Sequence, residues 1–149
     1  MRFGLLGSAA VLVAACASAE ETPMDQAEAY MWAYTEVWNE LDTDTLAEDY
    51  WATTGDVETE RVMLEGMFAR MIEGGYDHSV IHDILVCPVD ETHAIASMKF
   101  TRYLTSGEVM GPDMRATSYQ IEYEDGPGWR IRSVTGADPD APLSCDEGD

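Results

Sequence analysis

Thr92–Leu104, THAIASMKFTRYL, is the stretch whose reading decides the fold. Ala94, Ala96, Met98, Phe100 and Leu104 fall on one side of an extended chain. His93, Ser97, Lys99, Thr101 and Tyr103 fall on the other, with Ile95 among them. A period of two marks a strand with one face in a core. The same parity puts Arg102 with Met98 and Phe100 on the apolar side, where a buried arginine needs a partner. Ser106-Gly107 ends the run.

Working outward, His78–Val89 is rich in β-branched residues, carries apolar side chains on both faces and ends at Cys87-Pro88. Asp90-Glu91 makes the turn into the Thr92 strand. After a loop marked by Gly107, Gly111 and Pro112 comes a third strand, Met114–Tyr123, with Thr117, Tyr119, Ile121 and Tyr123 on one face. Asp125-Gly126-Pro127-Gly128 turns into a fourth, Trp129–Thr135. Upstream the period changes to 3.6. Thr22-Pro23-Met24-Asp25 is a helix start, with Thr22 as cap and Pro23 at the first helical position. Ala27, Tyr30, Met31, Tyr34, Val37, Trp38 and Leu41 then form one apolar stripe. Asp42-Thr43-Asp44 opens a short second helix carrying Leu46, Tyr50 and Trp51. Asp56 caps a third, Val57–Glu73, which Gly74-Gly75 stops.

Helices followed by consecutive antiparallel strands predict an α+β domain with the helices on one face of the sheet. In the order and spacing of its motifs the chain resembles the nuclear transport factor 2-like superfamily, in particular its small SnoaL-like bacterial members. The motifs are the aromatic first helix, LDTDTLAEDYW, TRYLTSG, and GWRIRSVTG followed by ADPD, over about Asp25–Asp140. The resemblance implies a cone-shaped fold, its helices packed on a curved, mainly antiparallel sheet of about four to six strands. It also implies an internal pocket, and a homodimer formed through the outer sheet face. Related steroid isomerases and polyketide cyclases place a carboxylate or a His–Asp pair in such a pocket as general base. No residue here matches one of their catalytic positions.

Residues 1–19 read as an export signal, 20–140 as the domain, and 141–149 as an acidic tail. Val13-Ala14-Ala15-Cys16 resembles a bacterial lipobox, which would make Cys16 a lipidated N-terminus. Ala17-Ser18-Ala19 is the competing, ordinary cleavage site. The expected location is the periplasm or cell envelope as a membrane-anchored lipoprotein, otherwise secretion. In such an oxidising setting Cys87 and Cys145 read as a disulfide. Closing a loop of about 60 residues would contribute about 4 kcal/mol in the chain-entropy model. The chain has 29 Asp and Glu against 8 Lys and Arg, a net charge of −21. That charge repels nucleic acid and anionic headgroups, and disfavours acidic substrates unless a local basic pocket reverses the field.

The chemistry-bearing residues are few. His78 and His82 lie four apart, but on a strand that is roughly 13 Å, too far for one metal ion. His82 and Asp83 would point to opposite faces there and cannot form a dyad. Met63, Met67 and Met71 carry thioethers at helical spacing, which suits Cu(I), but their apolar neighbours favour packing. No metal or cofactor is expected. The acidic tail, with Asp138, Asp140, Asp146, Glu147 and Asp149, lacks a calcium-loop pattern and reads as solvated. Arg102, Arg115, Arg130 and Arg132 could bind an anion or pair with surface carboxylates, the commoner outcome.

Tyr30, Tyr34, Trp38, Tyr50, Trp51, Phe68, Arg102 and Tyr119 are the candidate pocket residues; His78, His82 and Asp49 are the candidate catalytic ones. Three readings stand in order. The first is a non-enzymatic module that binds a small apolar molecule in its cone or assembles through its sheet face. The second is an envelope interaction protein held by its lipid. The third is an isomerase, cyclase or lyase working by general acid/base catalysis.

Overall fold

The computed structural model describes residues 20–145, so residues 1–19, expected above to be an export signal and including Cys16, and the last acidic residues lie outside the described part. Helix α1 (Pro23–Asn39) begins with a reciprocal cap. The Thr22 backbone donates to the Asp25 carboxylate at 2.8 Å, and the Asp25 N–H donates back to the Thr22 hydroxyl. These bonds hold the Asp25 carboxyl below the usual carboxylate range. Its stripe buries Ala27, Met31 and Tyr34, with Tyr30, Val37 and Trp38 packed alongside.

Asp42 caps the single turn α2 (Thr43–Thr45). The chain then widens into a π-helical turn over Leu46–Tyr50, closed by the Trp51 N–H donating to the Leu46 carbonyl at 2.7 Å. Helix α3 (Val57–Glu73) starts on Asp56 and ends at Gly74. Gly75 then takes a φ of 90°, and a side chain there would also press on Leu104. Along α3 the apolar Val57 and Ile72 are exposed, whereas Glu60 is buried.

The four strands β1 (Tyr76–Pro88), β2 (His93–Leu104), β3 (Arg115–Glu124) and β4 (Gly128–Gly136) form one antiparallel sheet in chain order. Ala94, Ala96, Met98 and Phe100 are all buried, as the alternation requires. Their neighbours Ile84, Tyr119, Ile121, Trp129 and Ile131 complete the inner face. Each large apolar side chain buried there contributes about 1.5–3 kcal/mol.

Helix α1 crosses this face from one edge strand to the other. At its start the Trp129 indole N–H of β4 donates to the Pro23 carbonyl at 2.9 Å. At its end Asn39 brackets Ser79 of β1, donating to its carbonyl at 2.8 Å and accepting from its N–H at 2.9 Å. Trp51 pairs with Ile131 as a short parallel bridge, so the segment after the π-turn covers the β4 edge. Cys87 and Cys145 are joined as a disulfide, tying the C-terminal segment to the far end of β1.

Candidate ligand-binding site

Between α1, α3, Trp51 and the inner sheet face lies a partly open cavity of about 130 Å³. Helix α1 supplies Tyr34, Thr35 and Trp38, and α3 supplies Met67. The sheet supplies Ser79, Ile81, Met98, Phe100, Arg102, Thr117, Tyr119 and Val134. Trp51 closes one wall. It points inward because its extended backbone (φ −90°, ψ 133°) breaks the helical run and docks on β4. The aromatic rings brace one another: Tyr34 meets Tyr119 edge-on at 5.5 Å between centroids, and Trp38 stacks on Trp51 at 6.4 Å.

Some polar atoms around the cavity are fully satisfied. The Trp38 indole N–H donates to the Tyr76 hydroxyl at 3.2 Å, and that hydroxyl shares a 2.9 Å bond with Ser79 Oγ. Others are not. Trp51 Nε1 and Arg102 Nε are both shielded from solvent and meet no hydrogen-bond partner among the described residues. The Arg102 guanidinium lies over the rings of Phe100 (5.5 Å) and Tyr76 (5.8 Å). Burial raises the Tyr34 hydroxyl well above its ordinary pKa and raises Tyr119 as well, the Tyr34 hydroxyl and the Arg102 charge opposing the latter. Both phenols are therefore neutral donors at physiological pH.

Of the eight pocket candidates, Tyr34, Trp38, Trp51, Arg102 and Tyr119 line this cavity. Phe68 does not: it is core, edge-on to Trp38 at 4.8 Å. Tyr30 and Tyr50 stack on each other at 5.1 Å and line a separate, shallower groove with Asp49, Trp129 and Arg130. The π-turn ends at Tyr50 and the next residue, Trp51, is extended, so the two neighbours line different surfaces. Met63 is exposed, Met67 lines the cavity and Met71 is core.

The catalytic candidates lie elsewhere. His78 bonds to Asp77 at 2.7 Å and stacks on Tyr103, on the outer side. Asp49 is exposed, its carbonyl accepting from Arg130. His82 sits in a β-bulge between Ile81 and Asp83, which breaks the expected alternation. His82 bonds to Thr101 on the outer face, and Asp83 faces Lys99 there, so both lie on the solvent side. No cluster of three His, Cys, Asp or Glu suited to a metal occurs among the described residues.

Sequence reasoning missed Glu60. It is 0% exposed, accepting from the Thr53 hydroxyl at 3.0 Å and the Thr54 N–H at 2.5 Å. It thereby pins the loop that follows Trp51. The available signal was its spacing: Glu60, Leu64, Phe68 and Met71 share one helical face.

Three helices on an open four-stranded antiparallel meander, with a ligand-sized cavity between the layers, define an NTF2-like architecture. The chain belongs to the family described as NTF2-like protein (DUF6841), whose model matches residues 24–139. Among curated proteins none matches it.

Among solved structures it is similar to an NTF2-like superfamily protein of Salmonella enterica serovar Typhimurium, with 14% identity and a TM-score of 0.59. That match covers 85% of this chain and 97% of the other. The protein Aln2 of a Streptomyces species matches at 13% identity and TM-score 0.56, over 73% and 85% of the two chains. A Catenulispora acidiphila protein solved in complex with S-DNPA matches at 10% identity and TM-score 0.54, over 74% and 88%. At such identities the likeness is one of fold.

Proposed function

We propose that this NTF2-like domain is a binding module that holds a small, largely apolar molecule in the cavity between α1 and the sheet. The carrying observation is the lining: a ring of aromatic and aliphatic side chains, a few convergent donors, and no carboxylate, histidine or cysteine. An engineered apolar cavity of roughly 150 Å³ takes one benzene ring, so a cavity near 130 Å³ suits a ligand of single-ring size. That a Catenulispora protein of the same fold holds S-DNPA supports the view that this architecture accommodates small molecules.

The alternative, proton abstraction by an isomerase, cyclase or lyase, requires a base beside the ligand. The lining offers hydroxyls, and burial moves the Tyr34 and Tyr119 phenols away from ionisation. An exported location is part of the same proposal, supported by the Cys87–Cys145 disulfide.

The test is native mass spectrometry of the protein purified from its own cells, compared with its denatured mass. The expected result is a retained small molecule that leaves on denaturation. A protein that is empty, and stays empty after incubation with single-ring aromatic compounds, would overturn the reading.

A further inference from the structure

Two cations at the inner sheet face have no counter-charge among the described residues. Arg102 and Arg115 flank Phe100: Arg115 is directly opposite Phe100 in the β2–β3 register, and Arg102 lies two residues along β2. Neither guanidinium forms an ion pair among the described residues, although Arg132 and Arg61 each take two carboxylates. In a chain with 29 acidic residues this is not a shortage of partners. Arg115 donates only to the Met110 and Gly111 carbonyls, leaving its Nε shielded and unpaired. The two arginines also repel each other, since burial and the neighbouring Arg102 charge both lower the Arg115 pKa. Cys145 is tethered at Cys87, eight residues along β1 from Ser79, the residue paired with Arg102, and so roughly 26 Å away.

Resting on the binding reading above, we propose that the ligand is an anion: a carboxylate-bearing molecule of single-ring size, its carboxylate held by Arg102 with Arg115 behind it. The aromatic walls take the ring and the arginine pair supplies the positive potential. This is the local reversal of field that an acidic chain needs in order to accept an acid. At 0.15 M salt, charges more than about 8 Å apart in water are largely screened. The arginine beside the carboxylate therefore outweighs the distant surface carboxylates.

Matched probes test this: benzoate, its neutral counterpart benzamide, and acetate, which has the charge without the ring. Binding to the full chain is read by calorimetry and by the fluorescence of Trp38 and Trp51. Benzoate is expected to bind at least about tenfold tighter than either of the others, as one charge-assisted hydrogen bond would provide. Arg102→Met should remove that preference, weakening benzoate about tenfold while leaving benzamide within about twofold. Benzamide matching benzoate in the unaltered protein, a comparison that needs no variant, overturns the anion proposal alone. Acetate matching benzoate overturns the single-ring part, and unchanged benzoate affinity in Arg102→Met overturns the role of Arg102. Failure of all three probes to bind would overturn this proposal together with the binding reading.

Discussion

Glu60 and Arg102 are both charges withdrawn from water, one on a helix and one on the sheet, and the protein treats them differently. Glu60 is wholly buried and met by the Thr53 hydroxyl and the Thr54 N–H. Arg102 is half-buried and met only by aromatic faces. A buried charge persists in a fold when the fold satisfies it, or when something outside the fold will. Glu60 is the first case and acts as a clamp that fixes the loop behind Trp51. Under the anion proposal Arg102 is the second.

The comparison is sharpest at Glu60, where the largest effect is expected. Glu60→Ala deletes a wholly buried acceptor and takes from the Thr53 hydroxyl and the Thr54 N–H the carboxylate that holds their loop. It should cost about 3 kcal/mol and lower the melting temperature by roughly 10 °C. Glu60→Gln keeps an acceptor oxygen and should cost less than half as much. Calorimetric melting of the two variants decides it. An alanine variant that melts with the parent would show that the carboxylate clamps nothing.

The next effect has the opposite sign. Arg102→Met removes a cation that has no protein partner and replaces it with an apolar side chain of similar length. Without ligand it should leave stability unchanged or raise it by about 1 kcal/mol, since a desolvated charge is lost and no bond is. Urea unfolding of the ligand-free proteins measures this. A loss beyond about 1 kcal/mol would make Arg102 a structural pillar and erase the contrast with Glu60.

The two charges also differ in how far the sequence discloses them. Arg102 is legible because a strand's period of two assigns faces residue by residue, and its neighbours Met98, Phe100 and Leu104 fix the parity. The same rule recovers all four strands and groups the side chains that share a face in β2 and β3, but β1, apolar on both faces, leaves open which face lies inside. α3 and its cap are legible too, since Asp56 and Gly74-Gly75 punctuate it. Glu60 was hidden because a glutamate in the first turn of a helix is ordinarily a solvated, dipole-stabilising residue. Its spacing with Leu64, Phe68 and Met71 is the one signal that it belongs to the buried face. The division of the aromatics was hidden for another reason. The 3.6 period cannot anticipate a π-turn, and that turn sends Tyr50 and Trp51 apart. The bulge at His82 defeated the alternation in the same way, by adding one residue to a regular count.

Arg132 extends the comparison to the outside of the sheet, where it pairs with Glu122 and Glu124. All three side chains are about a third exposed or more, so solvent screens their attraction. Arg132→Met should cost about 0.2–1 kcal/mol at low salt and less in 0.5 M NaCl. An effect as large as that of Glu60→Ala would mean that pairing, not burial, sets the scale.

The smallest effect is expected at Asp90, the solvent-exposed counterpart of Glu60. Its carboxylate likewise accepts from neutral donors, the Thr92 N–H at 2.9 Å and the His93 N–H at 2.8 Å, and it also contacts the His93 ring. The Thr92 backbone bond, followed by the His93 contact, lowers its pKa to about 2. In the unfolded chain it reverts to an ordinary value near 3.9. Because the folded value is the lower one, its contribution is present in full above about pH 4 and disappears as the pH falls through 2. Asp90→Ala should therefore be slightly less stable than the parent at pH 7, and the two should converge between pH 4 and 2. Urea midpoints taken across that range measure the difference. A gap that persists at pH 2 would assign it to the lost turn rather than to the charge. Convergence would show that one set of bonds, made by a carboxylate to backbone and hydroxyl donors, stabilises strongly at Glu60 and weakly at Asp90 because only Glu60 is out of water.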